Sequence, residues 1–136
     1  MTYMMDTNAA VAVIRNRPQS VRIKLRSALA AGVSVSISSV VLYELWYGVA
    51  RSQRRTENAE RLQVFLSGQV GVTPFDDEDA KAAGDIRGAL EAVGTPIGPY
   101  DLLIAGQAIH TGATLVTANT DEFSRVSGLR LEDWST

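Results

Sequence analysis

Carboxylates at four places in the chain are the residues most able to do chemistry: Asp6, Glu44, Asp101, and Asp121 or Glu122. Each falls at a strand-to-helix turn or on a helix face whose apolar spacing reads as packed. All-oxygen ligands without histidine or cysteine suit a hard cation, Mg²⁺ or Mn²⁺, better than zinc. Such a cation, with open positions, polarises a phosphodiester, lowers the pKa of water and steadies a leaving oxygen. Gathered in one place, the acids would repel one another unless a cation compensated them. That is a nuclease site in outline, provided the acids converge. A blander reading stands beside each. Asp6 could simply cap a helix, Glu44 could pair with a buried arginine, and Asp101 could be an acid opening a core helix. The single histidine, His110, supports neither a zinc site nor an imidazole-dependent triad and reads as surface or capping.

Tyr3-Met4-Met5 reads as a small strand, because a helical pattern starts at Asn8. Thr7 or Asn8 is its expected N-cap, which leaves Asp6 at the carboxyl edge of a sheet, where open α/β folds bind ligands. Pro18 suits the first turn of a second helix whose apolar side is Val21, Leu25, Ala28 and Leu29, ended by Gly32. Val33 to Ile37 alternates as a strand, and Ser38 or Ser39 caps a helix over Val40 to Ala50. Glu44 lies within that helix, one turn from Val40, Val41 and Gly48, and is expected to point to the packed side. Glu57 to Gly68 is expected as a helix, and Val70 to Phe75 as a strand ended at Pro74. A helix over Asp76 to Val93 would bury Ala80, Ala83, Ile86, Leu90 and Val93, with its opening acids complementing the helix dipole on a solvated face. A Gly/Pro loop, Gly94 to Pro99, delivers a nearly all-apolar helix with Asp101 in its opening turn. Thr114 to Thr117 reads as a buried strand, Leu129 to Leu131 as an edge strand, and Trp134 as a cover over apolar surface.

Strands alternating with helices predict a parallel α/β fold. The 136 residues suffice for one domain with a real core. There is no cysteine, so no disulfide is needed and a reducing cytoplasm is the expected home. No signal peptide is visible, and no apolar run approaches the roughly 20 residues that cross a bilayer. The formal charge of −2 argues against general attraction to nucleic acid. Any such role needs a local basic patch or metal ions.

Four stretches carry a resemblance. Met5-Asp6-Thr7-Asn8, Tyr43-Glu44-Leu45-Trp46-Tyr47-Gly48, Thr95 through Ala105, and Val116 through Phe123 occur in the order of the motifs of PIN-domain ribonucleases. The likeness is greatest to VapC-type toxins of bacterial toxin–antitoxin pairs, and it spans the chain, 1–136, as a single PIN domain. It implies a three-layer fold with a parallel sheet of about five strands and helices on both faces. It also implies Asp6 and Asp101 as direct ligands of Mg²⁺ or Mn²⁺, with Glu44 as a further ligand or a holder of water. Glu122 matches the family's Asn-x-x-Glu-Phe pattern for the fourth acid, with Asp121 as runner-up. Thr7, Asn8, Thr117 and Asn119 would orient the carboxylates.

The resemblance further implies cleavage of a structured RNA, commonly tRNA, in a single-stranded loop. A cognate antitoxin would lie across the groove, and the toxin would form homodimers and toxin–antitoxin hetero-oligomers, with no membrane partner. Trp46 and Tyr47 are contact material for either partner, or core. Arg15, Arg17, Arg51, Arg54 and Arg55 are expected to form a phosphate-contacting rim, against a plainer reading as solvated arginines. Two rivals bear on function. A HAD-like phosphatase also opens with Asp after its first strand, but Asn8 stands where its second Asp belongs. A catalytically silent PIN-like binding module would have lost two or more of the acids, and here all are present.

Overall fold

The computed structural model describes residues 1–136. Five strands alternate with seven helices: β1 (Thr2–Met5), α1 (Thr7–Arg15), α2 (Gln19–Ala30), β2 (Ser34–Ser38), α3 (Ser39–Ala50), α4 (Arg55–Leu66), β3 (Gly71–Thr73), α5 (Asp77–Ala92), α6 (Pro99–Thr111), β4 (Thr114–Val116), α7 (Thr120–Phe123) and β5 (Leu131–Glu132). The sheet order is β3-β2-β1-β4-β5, with every pairing parallel. Successive strands are laid outward from β1 to β3, and the chain then returns to place β4 on the other side of β1. Right-handed crossovers running in opposite directions put the two sets of helices on opposite faces. The contacts agree: α1 packs on α2, α3 and α4, while α5 packs on α6.

The reversal creates a crevice between the carboxyl ends of β1 and β4, the switch point at which α/β sheets bind ligands. Register makes the placement specific. Met5 pairs with Val116, so Asp6 and Thr117 emerge side by side. The strands are too short to hold this by themselves. Met4, Met5, Ile37, Leu115 and Val116, all 1% exposed or less, lock them between the layers.

Several boundaries differ from expectation for identifiable reasons. Asp6 itself, not Thr7 or Asn8, caps α1, because its carboxylate already accepts the Ala9 amide. Pro18 stands at the cap position of α2 rather than in its first turn. Ala80 on α5 and Val93 just past its end are exposed, whereas Asp79 is buried. An alanine is indifferent to its side of a helix, and Asp79 goes inward because it has partners there. Asp76 and Asp79 form a reciprocal capping box, and His110 Nδ1 lies 2.7 Å from Asp79 Oδ1. The acids opening α5 are therefore not all solvated, and His110 completes a capping network from the last turn of α6. Trp134 covers apolar surface as expected, edge-on to Tyr3 with ring centroids 5.1 Å apart.

Candidate active site

Asp6 is 5% exposed, and both of its oxygens are held. Oδ1 accepts the Ala9 amide at 2.8 Å, and Oδ2 accepts the Thr117 hydroxyl at 2.6 Å. The same Thr117 oxygen accepts the Asn119 amide at 2.9 Å, tying the loop after β4 to the acid after β1. Burial pushes the Asp6 carboxyl up from its ordinary range, opposed by these two donors, and the charges of Glu44 and Asp133 raise it further.

Glu44 projects from the middle of α3 and is half-buried. Its partner is a hydroxyl, not an arginine: Thr7 Oγ1 donates to Oε1 at 2.6 Å. It faces a cleft of about 570 Å³ between α1, α3 and α4, lined also by Asn8, Arg15, Arg51 and Arg61.

The third and fourth acids meet at the start of α6. Gly98 caps that helix, and its amide donates to Glu122 Oε1 at 2.7 Å. Asn119 Nδ2 holds the other oxygen of Glu122 at 2.9 Å. A side chain on residue 98 would put its Cβ 3.5 Å from Asp101 Oδ2 and 3.7 Å from Glu122 Oε1, so both carboxylates converge on this glycine. Burial pushes the Asp101 carboxyl up to about 6, and the charges of Glu122, Asp6 and Glu44 add to the rise. Glu122 moves the other way, held down by the Gly98 amide and the Asn119 side chain. Asp101 is therefore the acid of the site that takes up a proton first as the pH falls, beside a Glu122 held ionised.

Acids whose mutual repulsion adds to the rise of the Asp101 pKa are short of positive charge. The donor set is carboxylate oxygen throughout, and Asp6, Glu44 and Glu122 are held in place by hydroxyls and amides. These residues fit a hard divalent cation. A tighter trio, Asp76, Asp79 and His110, has ligand atoms within 4.8 Å of one another. It could hold a cation, yet the capping box and the imidazole contact already account for its arrangement.

Of the two acids left open by the sequence, Glu122 reaches Gly98 and Asp101, while Asp121 is exposed. Thr7, Thr117 and Asn119 each bond a carboxylate, whereas Asn8 is exposed and lines the cleft without touching one. The five arginines do not form one rim. Arg15 and Arg51 share the cleft of Glu44, Arg17 lines a smaller cavity beside Asp133, and Arg54 lies 3.6 Å from Glu57 on the surface. Arg55 is exposed at the start of α4. Arg61 and the Gly98 amide escaped the sequence reading. The Gly/Pro loop before Asp101 was the available signal for the second, and nothing marked the first.

A PIN-domain family model matches residues 3–129. The chain belongs to the PIN-domain family. A tRNA(fMet)-specific endonuclease VapC of Shigella flexneri is 43% identical over 99% of both chains. Ribonuclease VapC2 of Rickettsia felis is 42% identical over 98% of both. The crystal structure of VapBC2 from Rickettsia felis, bound to a DNA fragment from their promoter, superposes with a TM-score of 0.92 at 40% identity, covering 98% of this chain and 99% of that one. These relatives place this PIN domain in the VapC branch. PIN nucleases use a divalent metal. No helix is long and apolar enough to cross a membrane.

Proposed function

We propose that this chain is a single-domain endoribonuclease toxin that uses Mg²⁺ or Mn²⁺ in the cytoplasm to cut a structured RNA of the tRNA class. A VapB-type antitoxin neutralises it, and the toxin acts as a homodimer that assembles with the antitoxin into hetero-oligomers. The observation that carries the reading is the meeting of Asp101 and Glu122 at Gly98, within the field of Asp6 and Glu44.

Asp6 and Asp101 would hold the cation directly, with Glu44 and Glu122 completing the acidic wall. Once bound, the metal supplies electrophilic polarisation of the scissile phosphate and stabilises the leaving oxygen. The chain's own residues do the rest. Thr117 and the Ala9 amide fix the orientation of Asp6, and Thr7 does the same for Glu44. Glu122, kept ionised by the Gly98 amide and Asn119, adds negative charge beside Asp101 that favours a bound cation. Hydrolysis adds that water across one P–O bond, leaving one phosphate end and one hydroxyl end.

The test is cleavage of total cellular RNA by the purified, partner-free chain, with Mg²⁺ or with EDTA. An Asp101→Asn protein serves as the control for contaminating nuclease. Discrete fragments from the wild type alone, lost in EDTA, are expected. A folded protein that cuts nothing with any divalent metal would overturn the reading in favour of a silent binding module. Thr117→Val separates orientation from ligation. It strips Asp6 of one donor and should weaken metal affinity about 10- to 100-fold. A Mg²⁺ titration of the cleavage rate checks it, and an unchanged half-saturation point would remove Thr117 from the site.

A further inference from the structure

Two acids of the site are each preceded by an exposed tyrosine, and the two rings meet. Tyr43, next to Glu44, is 54% exposed, and Tyr100, next to Asp101, is 43% exposed. Their hydroxyls lie 3.4 Å apart and their ring centroids 5.7 Å apart, tilted at 48°. The pair bridges α3 and α6, the helices that carry Glu44 and Asp101. Large aromatics left this open are not required by the core, which closes without them.

The surface continues along α3. Tyr47 stands one turn beyond Tyr43 and is 57% exposed, and Arg51 one turn further lies 5.6 Å over the Tyr47 ring. Tyr47 and Arg51 enter the cleft that also contains Arg15, Arg61 and Glu44. Aromatic faces followed by guanidinium groups, beside a cluster of acids, match what an unpaired polynucleotide presents: flat bases and regularly spaced phosphates.

We propose that Tyr43 and Tyr100 form a stacking platform for an unpaired base of the RNA substrate, at the head of a track continued by Tyr47 and Arg51. This rests on the ribonuclease reading and adds to it how the substrate is held. Stacking every base alike, the platform selects for unpaired RNA, because a paired base keeps its faces covered within the duplex. It therefore places the cut in a loop rather than a stem.

Binding, not cleavage, provides the test. The Asp101→Asn protein, as a parent that does not cut, is titrated in Mg²⁺ against a short fluorescein-labelled single-stranded RNA of mixed sequence, followed by anisotropy. A strand of the same length made from tetrahydrofuran spacers keeps the phosphates and lacks the bases. Adding Tyr43→Ala and Tyr100→Ala should weaken the base-bearing strand about ten-fold or more and leave the spacer strand unchanged. The Tyr43→Phe and Tyr100→Phe pair should bind RNA within about two-fold of the parent, since stacking needs the ring and not the hydroxyl. Both residues are exposed, so the alanine protein should remain folded, and circular dichroism checks that. Equal loss on both strands, or no loss on either, overturns the platform while leaving the nuclease reading intact. A loss accompanied by a change of molecular mass in sedimentation equilibrium also overturns it and assigns the tyrosines to a contact between copies of the chain. Failure of the parent itself to bind RNA would overturn the platform, and the nuclease reading would stand or fall on cleavage by the wild type.

Discussion

Asp101→Asn should lower metal-dependent RNA cleavage by about a thousand-fold or more and, at neutral pH without metal, make the protein more stable. The first effect follows from removing a proposed metal ligand, whose electrophilic contribution is several kcal/mol of transition-state stabilisation. The second follows from the field around the carboxyl. Its folded pKa is raised from 3.8 to about 6. The folded chain therefore binds that proton more tightly than the unfolded chain does. Stability carried by this group is greatest below pH 3.8, falls as the pH rises through the interval to about 6, and stays low above it. Taken whole, the shift corresponds to about 3 kcal/mol, and solvent screening of a half-exposed carboxyl reduces that to about 1 kcal/mol. An asparagine at this position carries no charge to strain the site. Urea unfolding of the metal-free proteins at pH 7 should show the gain, and the difference should vanish near pH 4. Mg²⁺ should raise the melting temperature of the wild type by binding the folded state, and should do little for the variant. A variant less stable than the wild type without metal would show that the acids do not strain one another.

The acids themselves were legible in the sequence because strand-to-helix turns leave a recognisable sign, a short apolar run broken by a carboxylate. Their convergence was not. Asp6 and Thr117 lie 111 positions apart and meet only because β1 and β4 are neighbours, and nothing local announces the sheet order. The choice between Asp121 and Glu122 illustrates the same limit. They differ by one position in a single turn of helix, and the burial of Phe123 at 0% exposure sets which way that turn faces. Glu44 was expected against packed side chains and instead meets Thr7 in an open cleft lined by α1, α3 and α4, an arrangement of three helices that no local pattern records. Asp79 failed for a similar reason. Its burial depends on His110, 31 residues away, and helical periodicity carries no record of such a partner.

Gly106→Ala should lower the unfolding free energy by about 3 kcal/mol, the upper end for one added methyl in a packed interior. Helices α5 and α6 approach so closely at this position that a Cβ on residue 106 would lie 2.6 Å from the Ala83 amide nitrogen and 2.7 Å from its Cα and Cβ. The obstacle is helix backbone, which no rotamer change can move aside, so α5 must shift as a body. Removing the opposing methyl with Ala83→Gly should restore only part of the loss, because the Ala83 nitrogen and Cα remain in the way. Gly88→Ala on α5 is the matching control: open space surrounds that position, and a gain of about 0.5–1 kcal/mol is expected there from reduced backbone entropy of the unfolded chain. Urea midpoints with an unchanged m-value would measure all four proteins on one scale. The site should register the clash as well. Asp101 opens α6, and any displacement of that helix moves the carboxyl against Gly98 and Glu122, which are anchored through α7 and Asn119. Gly106→Ala should therefore raise the Mg²⁺ concentration needed for half-maximal cleavage even at temperatures where the protein is fully folded. Gly88→Ala, which leaves α6 in place, should not.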